Sequence, residues 1–210
     1  DVLARLGLDG HVLKHGSPSC GVRGVPVTDA RGVARAAGTG LFAAALRRRL
    51  PLLPVVEEGD LVDAAGREHF AVRVFAHHRL RRSLAGRPGR RRLVDFHARE
   101  ELLVRAHDPR RYRELGRLVA AAGGTPPAAC AASYRELYMA ALSRPATPGR
   151  HADVLQHVLR HLEQQLSPAQ KADALAQIEA FRRGEAPLLA PLALLAHHLR
   201  VHGVAHVLAQ

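Results

Sequence analysis

Proline set one residue behind a capping side chain divides the second half of this chain into helices. Asp108-Pro109, Thr147-Pro148 and Ser167-Pro168 each put a side-chain oxygen where the first amides of a helix need an acceptor. Each also puts proline where its missing N–H costs nothing. Gly123 and Gly184 stand where helices stop. These marks predict helices at about 93–107, 109–122, 127–143, 148–166, 168–183 and 188–202. Leu155, Val158, Leu159, Leu162 and Leu166 recur at helical spacing, as do Leu175, Ile178 and Phe181, so Leu155, Leu159, Leu162, Leu175, Ile178 and Phe181 are expected in the core. The periodicity is too irregular for a coiled coil, and no internal repeat is present.

The first half reads differently. An apolar strand is expected at His11 to Lys14, then a Gly-rich loop, a helix from about Gly40 to Leu50, an extended Leu52 to Val56, and a helix from about Arg67 to Leu80. Between the halves, residues 81–92 combine Pro, Gly and a run of arginines, the composition of a basic linker. The expected organisation is therefore a partial α/β domain at 1–80, a linker at 81–92 and an all-α domain at 93–210, predominantly helical overall. The chain opens at Asp1 and enters a strand almost at once, which reads as the tail of a longer protein.

At 210 residues and 47% apolar content the chain can fill real cores. Its longest apolar stretch, Ala186 to Ala196, is broken by Pro187 and Pro191 and is far shorter than the ~20 residues of a membrane span. No membrane partner is expected. Two cysteines make no disulfide framework, which points to a reducing compartment and a cytoplasmic location. The net charge of +12 is carried almost wholly by arginine, since Lys14 and Lys171 are the only lysines. Arginine forks suit phosphate and carboxylate, so RNA or a nucleotide is one expected class of partner. The competing reading is a composition that replaces lysine by arginine on solvated faces, because aromatic residues for base stacking are only 4%. Oligomeric state is not legible.

Leu13-Lys-His-Gly-Ser-Pro-Ser-Cys-Gly21 is the stretch richest in chemistry. A cysteine between a Ser-Pro-Ser turn and a glycine sits on a tight loop, where its sulfur can face a ligand rather than a core. Cys130, the other cysteine, lies in an Ala-rich helical context with no metal-ligand spacing to Cys20.

Ser-Pro-Ser-Cys-Gly at 17–21, Gly-Leu-Phe-Ala from Gly40, Leu-Pro-Val-Val-Glu-Glu-Gly at 53–59 and Arg-Val-Phe-Ala-His-His at 73–78 resemble the back half of the small desulfidase-like domain that includes thiouracil desulfidase. The second half resembles the YbgA-type helical domain of unknown function, through Val-Asp-Phe-His from Val94, Tyr-Arg-Glu-Leu-Gly from Tyr112, the run Leu142 to His151, Val-Leu-Gln-His from Val154, and Phe-Arg-Arg-Gly-Glu-Ala-Pro-Leu from Phe181. The first resemblance implies, in a complete domain, a 4Fe-4S cluster on three cysteines that removes sulfur from a thiolated pyrimidine. Three thiolates leave one iron open to a leaving sulfide. Cys20 matches the third of those ligands. Ser17 and Ser19 either orient substrate or solvent at the cluster or only shape the turn. One suitably placed cysteine does not hold a cluster, so none is expected in this chain as given.

Fourteen histidines raise a metal reading for the helices. His157 and His161 stand four apart and can share a metal, but zinc needs a third ligand that spacing does not supply. The adjacent pairs His77-His78 and His197-His198 read as one packed and one exposed residue each. Arg144, Arg150, His151 and Arg182 form an expected anion-binding group, with Arg150 and His151 delivered to the helix N-terminus after Pro148. His97, His107, Gln156 and His157 are further polar candidates. The alternative is a capped helix whose basic residues pair with Glu136, Glu163 or Glu185. Two functions follow: iron–sulfur-dependent sulfur removal from a thiolated pyrimidine or thiolated nucleic acid when the first domain is complete, or a non-enzymatic helical module that binds nucleic acid or a nucleotide.

Overall fold

A computed structural model of the chain describes residues 2–28, 32–86, 88–204 and 207. The chain is predominantly helical, with a small strand-bearing region ahead of the helices, and divides into two compact units, Asp1–Ala85 and Gly86–Gln210.

The first unit runs α1 (Val2–Arg5), β1 (His11–Leu13), β2 (Val25–Thr28), β3 (Ala34–Gly38), α2 (Leu41–Arg49), β4 (Val55–Glu57), a 3-10 turn (Glu58–Leu61) and α3 (Ala64–Ser83). β1 lies parallel to β4, with His11, Val12 and Leu13 opposite Val55, Val56 and Glu57. Parallel neighbours cannot be joined by a tight turn, so residues 14–54, with α2 among them, form the crossover. β2 and β3 pair antiparallel, and their register shifts between Val25 and Pro26, where proline has no N–H to donate. Leu13, Ala43, Leu46 and Leu53 make the core, with Leu3, Leu8, Cys20, Val22 and Phe42 packed against it. The expected strand and first long helix are present, and the expected extended segment at 52–56 is centred later, at Val55–Glu57. α1 and the β2–β3 pair are additions. The Ala-Arg-Ala-Ala-Gly of β3 carries helix-favouring alanine and no β-branched residue, so its strand state comes from pairing rather than propensity.

The expected linker at 81–92 is shorter in the structure. α3 continues to Ser83 and the next helix begins at Arg90, so both ends of the basic run are helical; Arg87 within it lies outside the described residues.

The second unit is built of α4 (Arg90–His107), α5 (Pro109–Ala120), α6 (Pro127–Leu142), α7 (Pro148–Arg160), α8 (Pro168–Arg182) and α9 (Leu189–Val201). The caps act as their residue types require. Asp108 accepts from the amides of Arg110 and Arg111, Thr147 from that of Arg150, and Ser167 exchanges bonds with Gln170 in a capping box. α4 packs against α5, α6 and α7, while α7, α8 and α9 pack on one another. Leu155, Leu159, Leu162, Ile178, Leu195 and Leu199 fill the core shared by α7 to α9. Phe96, Tyr134 and Tyr138 are fully buried where α4 meets α6.

Two expectations need correction. α7 ends at Arg160 rather than 166; bonds such as that from the His161 amide to the Val158 carbonyl tighten the last turn, and turns then carry Leu162 and Leu166 into the core. Leu175 is 44% exposed. Ala174 and Ile178 take the inward positions of α8, and Leu175, about 100° further round, faces out. Leu159→Ala is therefore expected to lower stability by at least about 2 kcal/mol, and Leu175→Ala by less than about 0.5 kcal/mol, in paired denaturant titrations.

Candidate functional site

The Ser17–Gly21 loop is held by the backbone on one side and by a buried carboxylate on the other. α2 has no side-chain cap. The amide of Leu41 donates to the Pro18 carbonyl, those of Phe42 and Ala43 to the Ser19 carbonyl, and that of Gly40 to the Gly21 carbonyl. The loop is thus the cap of α2, satisfying amides that every helix leaves open. Ser17 Oγ accepts from the amides of Ser19 (3.3 Å) and Cys20 (3.2 Å), which fixes the turn.

On the far side, Glu57 at the end of β4 is 1% exposed. Its Oε1 accepts from the Val22 amide at 2.7 Å, and its Oε2 lies 2.8 Å from His15 Nδ1. Arg23, which pairs with Asp60, stands beside it. His15 and the amides of Val22 and Arg23 hold the Glu57 carboxyl below its usual range, against the upward push of burial.

The expectation for Cys20 changes here. Its side chain is partly buried and packs on the Leu13, Ala43, Leu46 and Leu53 core, because anchoring the loop on α2 lays residue 20 over that helix. Both cysteines are free thiols. Cys130 is buried in the second unit with Sγ 3.9 Å from the Leu118 carbonyl, and burial pushes its thiol up. A cluster takes three or four thiolates; one partly covered cysteine in the first unit does not fit it. Among the described residues no group of three or more His, Cys, Asp or Glu side chains could hold a metal.

The polar candidates of the helical unit fall into separate groups. At the α4–α5 corner, buried His107 donates from Nδ1 to the Arg144 carbonyl at 2.6 Å, and Arg150 donates to the His107 carbonyl at 2.9 Å. Arg144 lies 3.7 Å from Asp108, which also holds Arg111 at 2.8 Å. These contacts tie the α6–α7 connection to the corner, so Arg144 and Arg150 already have acceptors. Between α7 and α8, Glu179 pairs with Arg182 at 3.2 Å and accepts from Gln156 at 3.5 Å, while His151 stands edge-on to Phe181. The expected anion group therefore contains two carboxylates, Asp108 and Glu179, rather than the Glu136, Glu163 or Glu185 of the alternative; Glu185 pairs with Arg183.

His97 belongs to the aromatic core instead. Its Nδ1 is 3.2 Å from the Tyr134 hydroxyl, its ring stacks on Tyr112, and burial lowers its pKa. Next to it Tyr138 donates to buried Glu100 at 2.6 Å; burial and the Glu100 charge push the Tyr134 hydroxyl far up. His157 accepts from Arg160 at 2.9 Å and meets His161 edge-on. Burial, then Arg105, Arg160 and His161, lowers its pKa.

His197 and His198 are one exposed and one buried residue; in the other pair His77 is buried and the His78 side chain is 42% exposed. His77 and His78 both reach Asp9, at 3.0 and 2.6 Å, and Arg81 donates to the same carboxylate. Burial raises the Asp9 pKa, and Arg81, His78 and His77 more than reverse it. Sequence reasoning missed Asp9 and Glu57 as centres. Glu57 carried a signal, an acid directly after the apolar Leu53 to Val56 run.

Among the described residues, no helix is long and apolar enough to cross a membrane. A family model described as Protein of unknown function (DUF1722) matches residues 101–210. The uncharacterized protein YbgA of Escherichia coli (strain K12) is 34% identical over 132 residues, 62% of this chain and 78% of that protein. Neither description names a desulfidase. No solved structure matches the chain.

Proposed function

The chain belongs to the DUF1722 family of proteins of unknown function, and from that premise we propose that it takes part in handling a thiolated pyrimidine, free or within nucleic acid. The observation that carries this reading is the Ser17–Gly21 loop, braced between the α2 amides and Glu57. Such bracing preorganises the Cys20 backbone without a ligand. The resemblance of that loop to the desulfidase-like domain supplies the chemistry, removal of sulfur from the pyrimidine. Cys20, one partly covered thiol, does not hold an iron–sulfur cluster by itself. A second reading, a non-enzymatic module that binds nucleic acid or a nucleotide, is favoured by the net charge of +12.

One experiment separates the two. Two labelled single-stranded RNA oligonucleotides, identical except for one thiolated uracil, are titrated with the full chain at several salt concentrations. The first reading expects the thiolated strand to bind at least about tenfold tighter. Equal affinity with a steep fall as salt rises is the result of the second reading and would overturn the first. No binding of either strand would remove nucleic acid from both readings.

A further inference from the structure

His15 is an exposed side chain held by a buried one. Its imidazole is 64% exposed and the Glu57 side chain that it meets is 1% exposed, with 2.8 Å between Nδ1 and Oε2. The backbone is fixed as well, since the His15 amide donates to Glu58 at 2.6 Å. The charged groups around the ring are Glu57, Glu58, Asp60 and Arg23; Lys14 pairs with Glu58, and Arg23 with Asp60. One residue on, the chain turns at Gly16 with φ 64° into the Ser17–Gly21 loop. A β-carbon at Gly16 would meet nothing within 4 Å, so the approach to the loop beside His15 is open.

The bond to Glu57 sets the tautomer. An ionised carboxylate only accepts, and His15 together with the amides of Val22 and Arg23 keeps Glu57 ionised. The ring proton therefore sits on Nδ1, and the neutral imidazole turns a bare Nε2 lone pair away from Glu57. Among the described residues the ring bonds only through Nδ1. A brace for the loop needs that nitrogen alone; the second, solvent-facing one is left to act on a ligand. We infer that His15 selects the base of the bound ligand, with Nε2 accepting the N3–H of a thiolated pyrimidine. This contact rests on the function proposed above and names how its substrate is recognised. Sulfur in place of a ring carbonyl oxygen delocalises negative charge better, which makes the neighbouring N3–H the more acidic donor. A fixed lone pair therefore favours the thiolated base over its oxygen counterpart. It also rejects a cytosine-type ring, whose N3 would bring a second lone pair against the first.

The test titrates the full chain with 4-thiouridine, N3-methyl-4-thiouridine and uridine in a calorimeter. Wild-type protein binds 4-thiouridine, binds uridine more weakly, and loses at least about tenfold in affinity when N3 is methylated. His15→Asn places an amide donor near where Nδ1 stood and removes Nε2. It should lose at least about tenfold in affinity for 4-thiouridine and keep its urea unfolding midpoint near that of the wild type. Wild-type binding also weakens on acidification, because a proton on Nε2 removes the lone pair; the residual binding of His15→Asn lacks that limb. If His15→Asn binds 4-thiouridine as wild type does, His15 only braces the loop and the inference is overturned. Equal binding of the N3-methyl nucleoside overturns it too, on wild-type protein and so independently of whether the variant folds, and so does an absence of 4-thiouridine binding. If 4-thiouridine and uridine bind alike and both need Nε2, the thiopyrimidine reading fails and the His15 contact stands. If thiolated RNA is preferred and His15→Asn keeps that preference, the reading stands and the contact fails.

Discussion

Glu57→Ala is expected to cost the first unit about 3 kcal/mol or more, because it removes the acceptor of His15 and of the Val22 and Arg23 amides from a fully buried centre. The Val22 amide at 2.7 Å and the His15 ring at 2.8 Å lose their acceptor together. The Val22 amide is left in a space that a methyl group cannot fill with polarity. Glu57→Gln, which retains an acceptor for that amide, should cost clearly less.

The pH dependence has a definite sign. The folded-state pKa of Glu57 lies below its ordinary 4.5. Its contribution is therefore fully present above that value and is lost as pH falls through the folded-state value. Asp9 and Asp60, also held down by their partners, act in the same direction. Wild-type protein should lose stability progressively below about pH 4.5, and Glu57→Ala should show a shallower acid limb. Urea titrations at pH 7 and at a series of lower pH values check both statements. An unchanged acid limb in Glu57→Ala would show that Glu57 does not carry the effect.

The helical unit was legible because its signals are local. Asp108, Thr147 and Ser167 cap the helices they precede, and a cap followed by proline needs no tertiary information to be recognised. Leu175 was misread for the complementary reason. A stripe of apolar residues identifies a helix, but the choice between Ala174 and Leu175 as the inward residue is made by the neighbouring helices, which the spacing of one segment does not contain.

The candidate site was legible only in part. The Ser17–Gly21 turn could be read from its residues, but its bracing joins positions far apart in the chain: Val22 to Glu57, Ser19 to Phe42, Gly21 to Gly40. Long-range pairings of this kind leave no periodic trace. The basic candidates fall into two separate groups, at the α4–α5 corner and between α7 and α8, for a related reason. An arginine near a helix N-terminus serves equally to bind an anion or to tie a corner, and Arg150 does the second by donating to the His107 carbonyl. Asp9, by contrast, gathers His77, His78 and Arg81 from a single helix, yet the acid itself stands more than sixty residues earlier.

Gly40→Ala is expected to have an effect of similar size to Glu57→Ala, by steric exclusion rather than lost charge. A β-carbon at residue 40 would fall onto the carbonyl of Ser19 and lie 2.8 Å from the Cys20 amide nitrogen. Both are backbone atoms, so no side chain can swing aside. The Ser19 carbonyl is also the acceptor for Phe42 and Ala43. To admit the methyl group, the loop must leave α2, and the first-turn amides then lose their acceptors at about 1 kcal/mol each. A loss of about 3 kcal/mol or more should follow from this combination of overpacking and uncapping. The effect has a local signature, which distinguishes it from general destabilisation: Cys20, now partly buried against Leu13 and Ala43, should react faster with a thiol reagent, while Cys130, 3% exposed, should stay slow. Gly149→Ala is the matched control, since a β-carbon there meets nothing within 4 Å. If Gly40→Ala leaves both stability and Cys20 reactivity unchanged, the loop is not held on α2, and the preorganisation on which the proposed function rests is absent.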